Sequence, residues 1–350
     1  MAHRSVSVGI VAALLGLAVC SQAQGQVCRE VRHGGWTIEK LKKLKTEDVD
    51  KNLSGLACAP AEDGERRCIL VQDEKFRAAF ARLGRGKVKV RKALKLPRIS
   101  RKKTKGAEFD AEAAAWSDGQ FYVLGSHSVK GKNCAPNRDS RRLVRFSSAR
   151  ERSKPKFERA RPLLDLIGHD AELIRHAGQC LGRAGRPDNA TGDWKPNQGL
   201  NFEGLAVTGS HASLGLRGPV MAGKAVVVKA GLAALFDRSP QQPAGVFRLT
   251  LEPAGGIRDL AALPGSGGIL ILSGSEDDNT GGAAIHRWDG KSTTVNTLCR
   301  LPDPVAAGSK QKPEALLVLE HEAGKLRVLV VSDGVSRGRP QEYEISLPAK

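Results

Sequence analysis

The chain has 350 residues, with 56 Lys and Arg against 37 Asp and Glu, and a formal net charge of +19; that length suffices for a large buried core and even for two domains. Beyond the N-terminal leader no segment approaches the roughly 18 uninterrupted apolar residues of a membrane-spanning helix, and aromatic residues, 4% of the chain, are too few in the basic segments to stack on bases, which argues against nucleic acid. The charge imbalance favours contact with anionic surfaces such as lipopolysaccharide, acidic polysaccharide or phosphorylated ligands.

His3 and Arg4 precede an apolar run over 8–19, and Ser21-Gln22-Ala23 supplies small residues for cleavage. This layout predicts a secretory signal peptide over 1–23 and a periplasmic or secreted protein; lipidation of Cys20 is the alternative. Removing 1–23, whose only Lys, Arg, Asp or Glu is Arg4, leaves +18. Six cysteines then remain: Cys28, Cys58, Cys68, Cys134, Cys180 and Cys299. An even number in an exported chain favours disulfides, and Cys58 and Cys68, flanking the turn over 59–67, form the first expected pair. None has the C-x-x-C spacing of a zinc site.

A strand is expected over 36–40, followed by a first module of strands over 55–58, 68–71, 76–82 and 87–96. The run over 85–105 holds eleven Lys or Arg and no acid; its first half alternates as Lys87-Val88-Lys89-Val90, the pattern of an outer strand with one face on a core, ahead of a basic loop. A second module spans 112–116, 121–125, 142–146 and 157–166. An insertion follows over about 167–199, read as a helix over 170–182 and a Gly- and Pro-containing loop over 183–198. The third module covers 202–207, 213–216, 224–229 and 246–251, and the fourth 260–263, 269–272, 284–288 and 294–301. The fifth has only three strands, over 314–319, 326–331 and 342–347.

Each module opens on a related phrase: Leu53-Ser54-Gly55-Leu56-Ala57, Asp110-Ala111-Glu112-Ala113-Ala114-Ala115, Phe202-Glu203-Gly204-Leu205-Ala206, Arg258-Asp259-Leu260-Ala261-Ala262 and Pro313-Glu314-Ala315-Leu316-Leu317. The oxygen-bearing residues Ser54, Glu112, Glu203, Asp259 and Glu314 are spaced by 58, 91, 56 and 55 positions, so one gap holds the insertion. Self-similarity on this scale signals repeats. Four-stranded repeats arranged radially make an all-β protein, a β-propeller, with five blades of four strands preferred and six as the alternative. A single propeller domain over 24–350 is expected, closed by the N-terminal strand over 36–40 filling the vacancy beside 342–347.

Asn201-Phe202-Glu203-Gly204-Leu205-Ala206, Gly215-Leu216-Arg217-Gly218-Pro219 and Lys224-Ala225-Val226-Val227-Val228 resemble the bacterial domain-of-unknown-function family numbered 3616. Asp110 to Ala115 with Gly125-Ser126-His127-Ser128, and Ile257 to Ala261 with His286-Arg287-Trp288-Asp289-Gly290, fit the same family. Its name carries no chemistry. More distantly, the Glu-Gly-Leu-Ala repeat is similar to phytase-like propellers and to calcium-dependent apyrases, in which a Ser or Glu from each blade surrounds a central calcium. Carried over by position, that resemblance implies Ser54, Glu112, Glu203, Asp259 and Glu314, with Asp259 shorter than the pattern asks.

Independently of that resemblance, carboxylates repeated once per blade converge on the axis and repel, or take up protons, unless a cation lies between them. A ring of Ser, Asp and Glu oxygens suits calcium better than magnesium or zinc. The alternative is that each acid accepts backbone N–H bonds from a neighbouring blade and staples the ring. Polar residues also end the second strands: Lys75, His127, Arg217, Glu276 and Asp333 among them. Gathered at one mouth, these offer His127 as a general base, Arg217 as a bidentate anion clamp and Lys75 as a counter-charge. The segment Gly218 to Lys224 matches a phosphate-loop spacing, but Ala225 replaces the magnesium-holding hydroxyl and a strand follows. Two functions are therefore carried: an exported, monomeric, non-catalytic propeller that binds an anionic small molecule or envelope polymer, with a central calcium; or a calcium-dependent hydrolase of phosphate or other esters.

Overall fold

The computed structural model describes residues 26–31, 35–44, 52–98, 107–130, 135–147, 154–178, 199–237, 242–265, 268–276, 282–302, 311–322 and 324–347. The expected signal peptide lies outside them, as do Cys134, Cys180 and the loop over 183–198.

Five antiparallel sheets form the blades of a propeller. From the axis outward, blade 1 is Leu53–Glu62, Glu65–Gln72, Arg77–Gly84 and Lys87–Lys95; blade 2 is Ala111–Ser117, Gln120–Gly125, Leu143–Ser147 and Glu158–Arg159. Blade 3 is Asn201–Thr208, His211–Gly218, Ala225–Gly231 and Gly245–Leu249; blade 4 is Gly256–Ala262, Ile269–Gly274, Ala284–Trp288 and Val295–Arg300. Blade 5 runs Lys312–Glu322, Lys325–Asp333 and Gln341–Ser346, with Arg29–Glu30 outermost. Each innermost strand packs against the next, and that of blade 5 against that of blade 1.

Burial explains why the second strands read as unbroken apolar runs. Ile269 to Leu272 and Cys68 to Val71 are fully buried, because both faces of a blade are covered by neighbours. The fourth strand of blade 1 alternates instead, with Val88 and Val90 buried and Lys87 and Arg91 exposed. The buried side chains group into five clusters, one at each blade seam. The inner strands approach closely: a Cβ on Gly204 would lie 2.8 Å from Leu260 Cγ and 2.9 Å from Ile257 Cγ2.

The N-terminus departs from expectation. Thr37–Glu39 does not pair with the last blade; it runs parallel to Lys87–Lys95 as a fifth strand of blade 1. The fourth strand of blade 5 is Arg29–Glu30, with Arg29 opposite Glu344 and Glu30 opposite Tyr343. Ile38 is the reason: it buries into the seam between blades 5 and 1 together with Leu53 and Leu329. Trp36 stays beside the last blade through a bond from its Nε1 to Glu342 Oε2 of 2.7 Å. The expected strand over 157–166 is also corrected, because only Glu158–Arg159 pairs before Leu163–Ile167 turns helical. Leu163, Leu166 and Ile167 recur at helical spacing, and all three are buried. A second short helix, Ala171–Ile174, is capped by Asp170, which accepts from Leu173 N at 2.9 Å.

Two disulfides are present among the described residues, Cys58–Cys68 as expected and Cys28–Cys299. The second ties the segment ahead of Arg29–Glu30 to the outermost strand of blade 4, across 271 residues of chain. Replacing both cysteines, Cys28→Ser with Cys299→Ser, is expected to cost about 2–5 kcal/mol, the usual loss for a native bridge. Urea unfolding without reductant measures it; an unchanged midpoint would mean that strand pairing and Trp36 hold the terminus unaided.

Candidate functional site

Every inner strand carries a β-bulge near its start. The pairing register slips between Leu53 and Gly55, Ala111 and Ala113, Phe202 and Gly204, Ile257 and Asp259, and Pro313 and Ala315. The residues skipped are Ser54, Glu112, Glu203, Arg258 and Glu314. A bulge re-aims the extra side chain, and all but Arg258 line one axial cavity of about 370 Å³. In blade 4 the ring position thus belongs to Arg258, one residue before the expected Asp259. Aligning Arg258-Asp259-Leu260-Ala261 under Glu203-Gly204-Leu205-Ala206 already equates Arg258 with Glu203.

Arg258 supplies a cation to the ring. Only 4% exposed, its Nη1 donates to Glu314 Oε1 at 2.8 Å and Glu203 Oε2 at 3.2 Å, and its Nη2 to Ser275 O at 2.7 Å. Gly274 leaves it room, since a Cβ there would lie 3.1 Å from Arg258 Nε. Glu203 Oε1 accepts in addition from Arg217 Nη1 at 2.9 Å and Asn201 Nδ2 at 3.2 Å. Asp259 faces the backbone: its carboxylate accepts from Leu260 N and from Leu316 N of blade 5, both at 2.8 Å. A third bond, from Leu205 N of blade 3, opposes the upward push of burial on its pKa. Asp259 therefore staples three blades.

The cavity wall is acidic. Asp73, Glu108, Asp110, Glu112, Glu203, Glu314 and Asp333 line it beside Lys312 and Arg217. Burial, with repulsion from Asp110, Asp333 and Glu74, pushes Asp73 up to about 8. Burial raises Asp110 to about 6, against hydrogen bonds from Ser126 and Ser128; Ser126 Oγ and Ser128 Oγ both donate to Asp110 Oδ2, the latter at 3.3 Å. Glu112 is raised well above its ordinary value by burial and by the neighbouring carboxylates Asp110, Glu203, Asp73 and Glu314. Lys75, Asp110 and His127 all hold left-handed backbone at φ 61°, 55° and 62°, and such strain tends to gather at ligand sites.

The expected catalytic and anion-binding residues sit differently. His127 is 4% exposed, does not line the cavity and packs its ring edge against Phe202. Its Nδ1 donates to Gly125 O at 2.9 Å, and burial depresses its pKa to about 4. Lys75 is exposed and away from the cavity wall. Arg217 is held by Glu203 and donates from Nε to Glu276 O at 3.0 Å. Of the residues expected around a calcium, Ser54, Glu112, Glu203 and Glu314 line the cavity, Arg258 bonds to both Glu203 and Glu314, and Asp259 turns to the backbone; among the described residues no three His, Cys, Asp or Glu are grouped to hold a metal ion. The opposite mouth, about 770 Å³, is lined by the far ends of the inner strands, including Leu56, Ala114, Leu205 and Leu316.

Two consequences are measurable. Arg258→Met removes the guanidinium that Glu203 and Glu314 share and is expected to cost about 3–5 kcal/mol in urea unfolding, as for other broken buried pairs; a loss below about 1 kcal/mol would show that the ring does not depend on it. Asp110 has a folded pKa above its unfolded value of 3.8, so the folded state holds the extra proton and loses stability as pH climbs from 3.8 to about 6. Relative to Asp110→Asn, the wild type should therefore weaken by up to about 3 kcal/mol between pH 4 and 7 and change little above that. Parallel pH profiles for the two proteins would refute this.

No curated protein matches the chain. Solved structures similar to it include an exo-beta-1,3-galactanase from Phanerochaete chrysosporium, 7% identical with a TM-score of 0.45 over 92% of this chain and 64% of that one. An alpha-L-arabinanase from Penicillium chrysogenum is 10% identical with a TM-score of 0.40 over 84% and 93%. Hydrazine synthase from Kuenenia stuttgartiensis is 10% identical with a TM-score of 0.39 over 82% and 57%. The chain thus spans less than two thirds of the galactanase and hydrazine synthase chains, and at such identities nothing about activity follows. Residues 194–347, which carry blades 3 and 4 and three strands of blade 5, match the model of the family described as "Protein of unknown function (DUF3616)".

Proposed function

We propose that this is an exported, non-catalytic envelope protein that engages an anionic polymer through the outer edge of blade 1. The observation behind this reading is the row of exposed cations there. Arg91, Lys92 and Lys95 are exposed on the fourth strand of blade 1, and Lys40, Lys42 and Lys43 follow the fifth, with Lys43 Nζ donating to Arg91 O at 3.0 Å. Lys87 on the same strand pairs with Glu39 at 2.8 Å. Charged edges also discourage strand-to-strand aggregation, but the concentration of lysine and arginine on one blade exceeds what that task needs and suits a polyanion. The acidic axial mouth would repel an anion, which is why the exterior, and not the mouth, takes this role. Export rests on the leader over 1–23, and two disulfides are compatible with it.

Retention on immobilised heparin, used as a generic sulfated polymer, tests the assignment. Screening over about 8 Å at physiological salt weakens isolated surface charges, and a row of cations engaging a polyanion is expected to hold the wild type on the column well above that salt. The triple variant Arg91→Glu, Lys92→Glu, Lys95→Glu should elute markedly earlier. A charge-matched variant on blades 3 and 4, Lys224→Glu with Lys291→Glu and Arg300→Glu, all at exposed positions, should not; equal losses from both would reduce the effect to net charge and sink the proposal.

A further inference from the structure

Charge at the axis is unevenly balanced. Arg258 and Arg217 serve Glu203, and Arg258 also serves Glu314. Across the cavity, Glu112 makes no hydrogen bond or ion pair among the described residues, while Asp110 and Asp73 crowd it. Buried oxygens of the cavity wall without a hydrogen-bond partner include Asp73 Oδ1 and Asn201 Oδ1. Asn201 is 8% exposed, lines the cavity and spends its Nδ2 on Glu203, so its carbonyl is an acceptor on the cavity wall without a donor. An unsatisfied buried acceptor costs about 1–3 kcal/mol, and native proteins rarely leave one without a reason.

What is lacking on this side is a positively charged donor of several hydrogen bonds. A bare metal ion is disfavoured, because among the described residues no three carboxylates, imidazoles or thiolates are grouped closely enough to coordinate one. An ammonium carries its own three N–H donors and can bridge acceptors set farther apart. A cavity of about 370 Å³ also lies in the range of small-molecule sites. We propose that the axial cavity binds a small organic cation, whose protonated amine gives its three N–H donors to Glu112, Asp73 and Asn201 Oδ1, with Asp110 adding negative charge beside them. Bound there, the amine mirrors Arg258 on the other side of the ring. It relieves the mutual repulsion among these carboxyls. The basic exterior opposes non-specific uptake of cations, so saturable binding reports the cavity.

Calorimetric titration of the purified protein with putrescine as probe tests this, with 1,4-butanediol as the uncharged analogue and calcium chloride as the metal arm. The expected result is saturable, one-to-one binding of putrescine, at least tenfold weaker in Glu112→Gln and in Asn201→Leu, with butanediol silent. Absence of saturable binding, wild-type affinity in both variants, or equal binding of butanediol would overturn the proposal. So would calcium that binds saturably and displaces putrescine, since the site would then be a metal site. Should Glu112→Gln fail to fold, Asp73→Asn on the same wall carries the same comparison.

Discussion

Five inner strands converge on one axis, and each delivers one bulged side chain there. That constraint governs the rest of the structure. Three of the five side chains are glutamates, which cannot share a buried space without compensation. The protein resolves part of the conflict internally: Arg258 enters the ring from blade 4 and bonds to the glutamates of blades 3 and 5. Removing one member of such a buried pair costs far more than the pair itself contributes, so the ring leans heavily on that one residue.

The neighbouring Asp259 shows how closely the two readings of an axial acid lie. One residue along the same strand, the carboxylate turns from the axis to the backbone and accepts from the inner strands on either side. Cavity acid and inter-blade staple are thus adjacent positions on one bulged strand. Which role a residue takes depends on a single unpaired position, since one step along a strand reverses the direction of its side chain.

Charge is segregated by radius. The exterior carries the excess of lysine and arginine, densest on the last strand of blade 1, whereas the axial mouth on one face gathers carboxylates. Between them lie the five apolar seams, which supply most of the stabilisation because burying apolar surface is the dominant favourable contribution to folding. A cationic outer edge and an acidic centre select for partners of opposite sign, so the two surfaces have separate roles.

The repeat phrase, the alternation of Lys87 to Val90 in blade 1 and the apolar runs of the second strands were legible in the residues alone, because they are local signals. The same is true of Cys58 and Cys68, which face each other across one turn, and of four of the five ring residues. Arg258 was legible too, had the phrase been aligned on its Leu-Ala pair and not on the nearest acid. What only the tertiary structure decided depends on contacts distant in the chain. Arg29–Glu30 completes blade 5 while Thr37–Glu39 joins blade 1, because Ile38 has a seam to fill and Cys28 is bonded to Cys299. The burial of His127, the capture of Arg217 by Glu203 and the unpaired oxygens around Glu112 likewise follow from how blades meet, and no local pattern encodes which side chain lies opposite another across a seam.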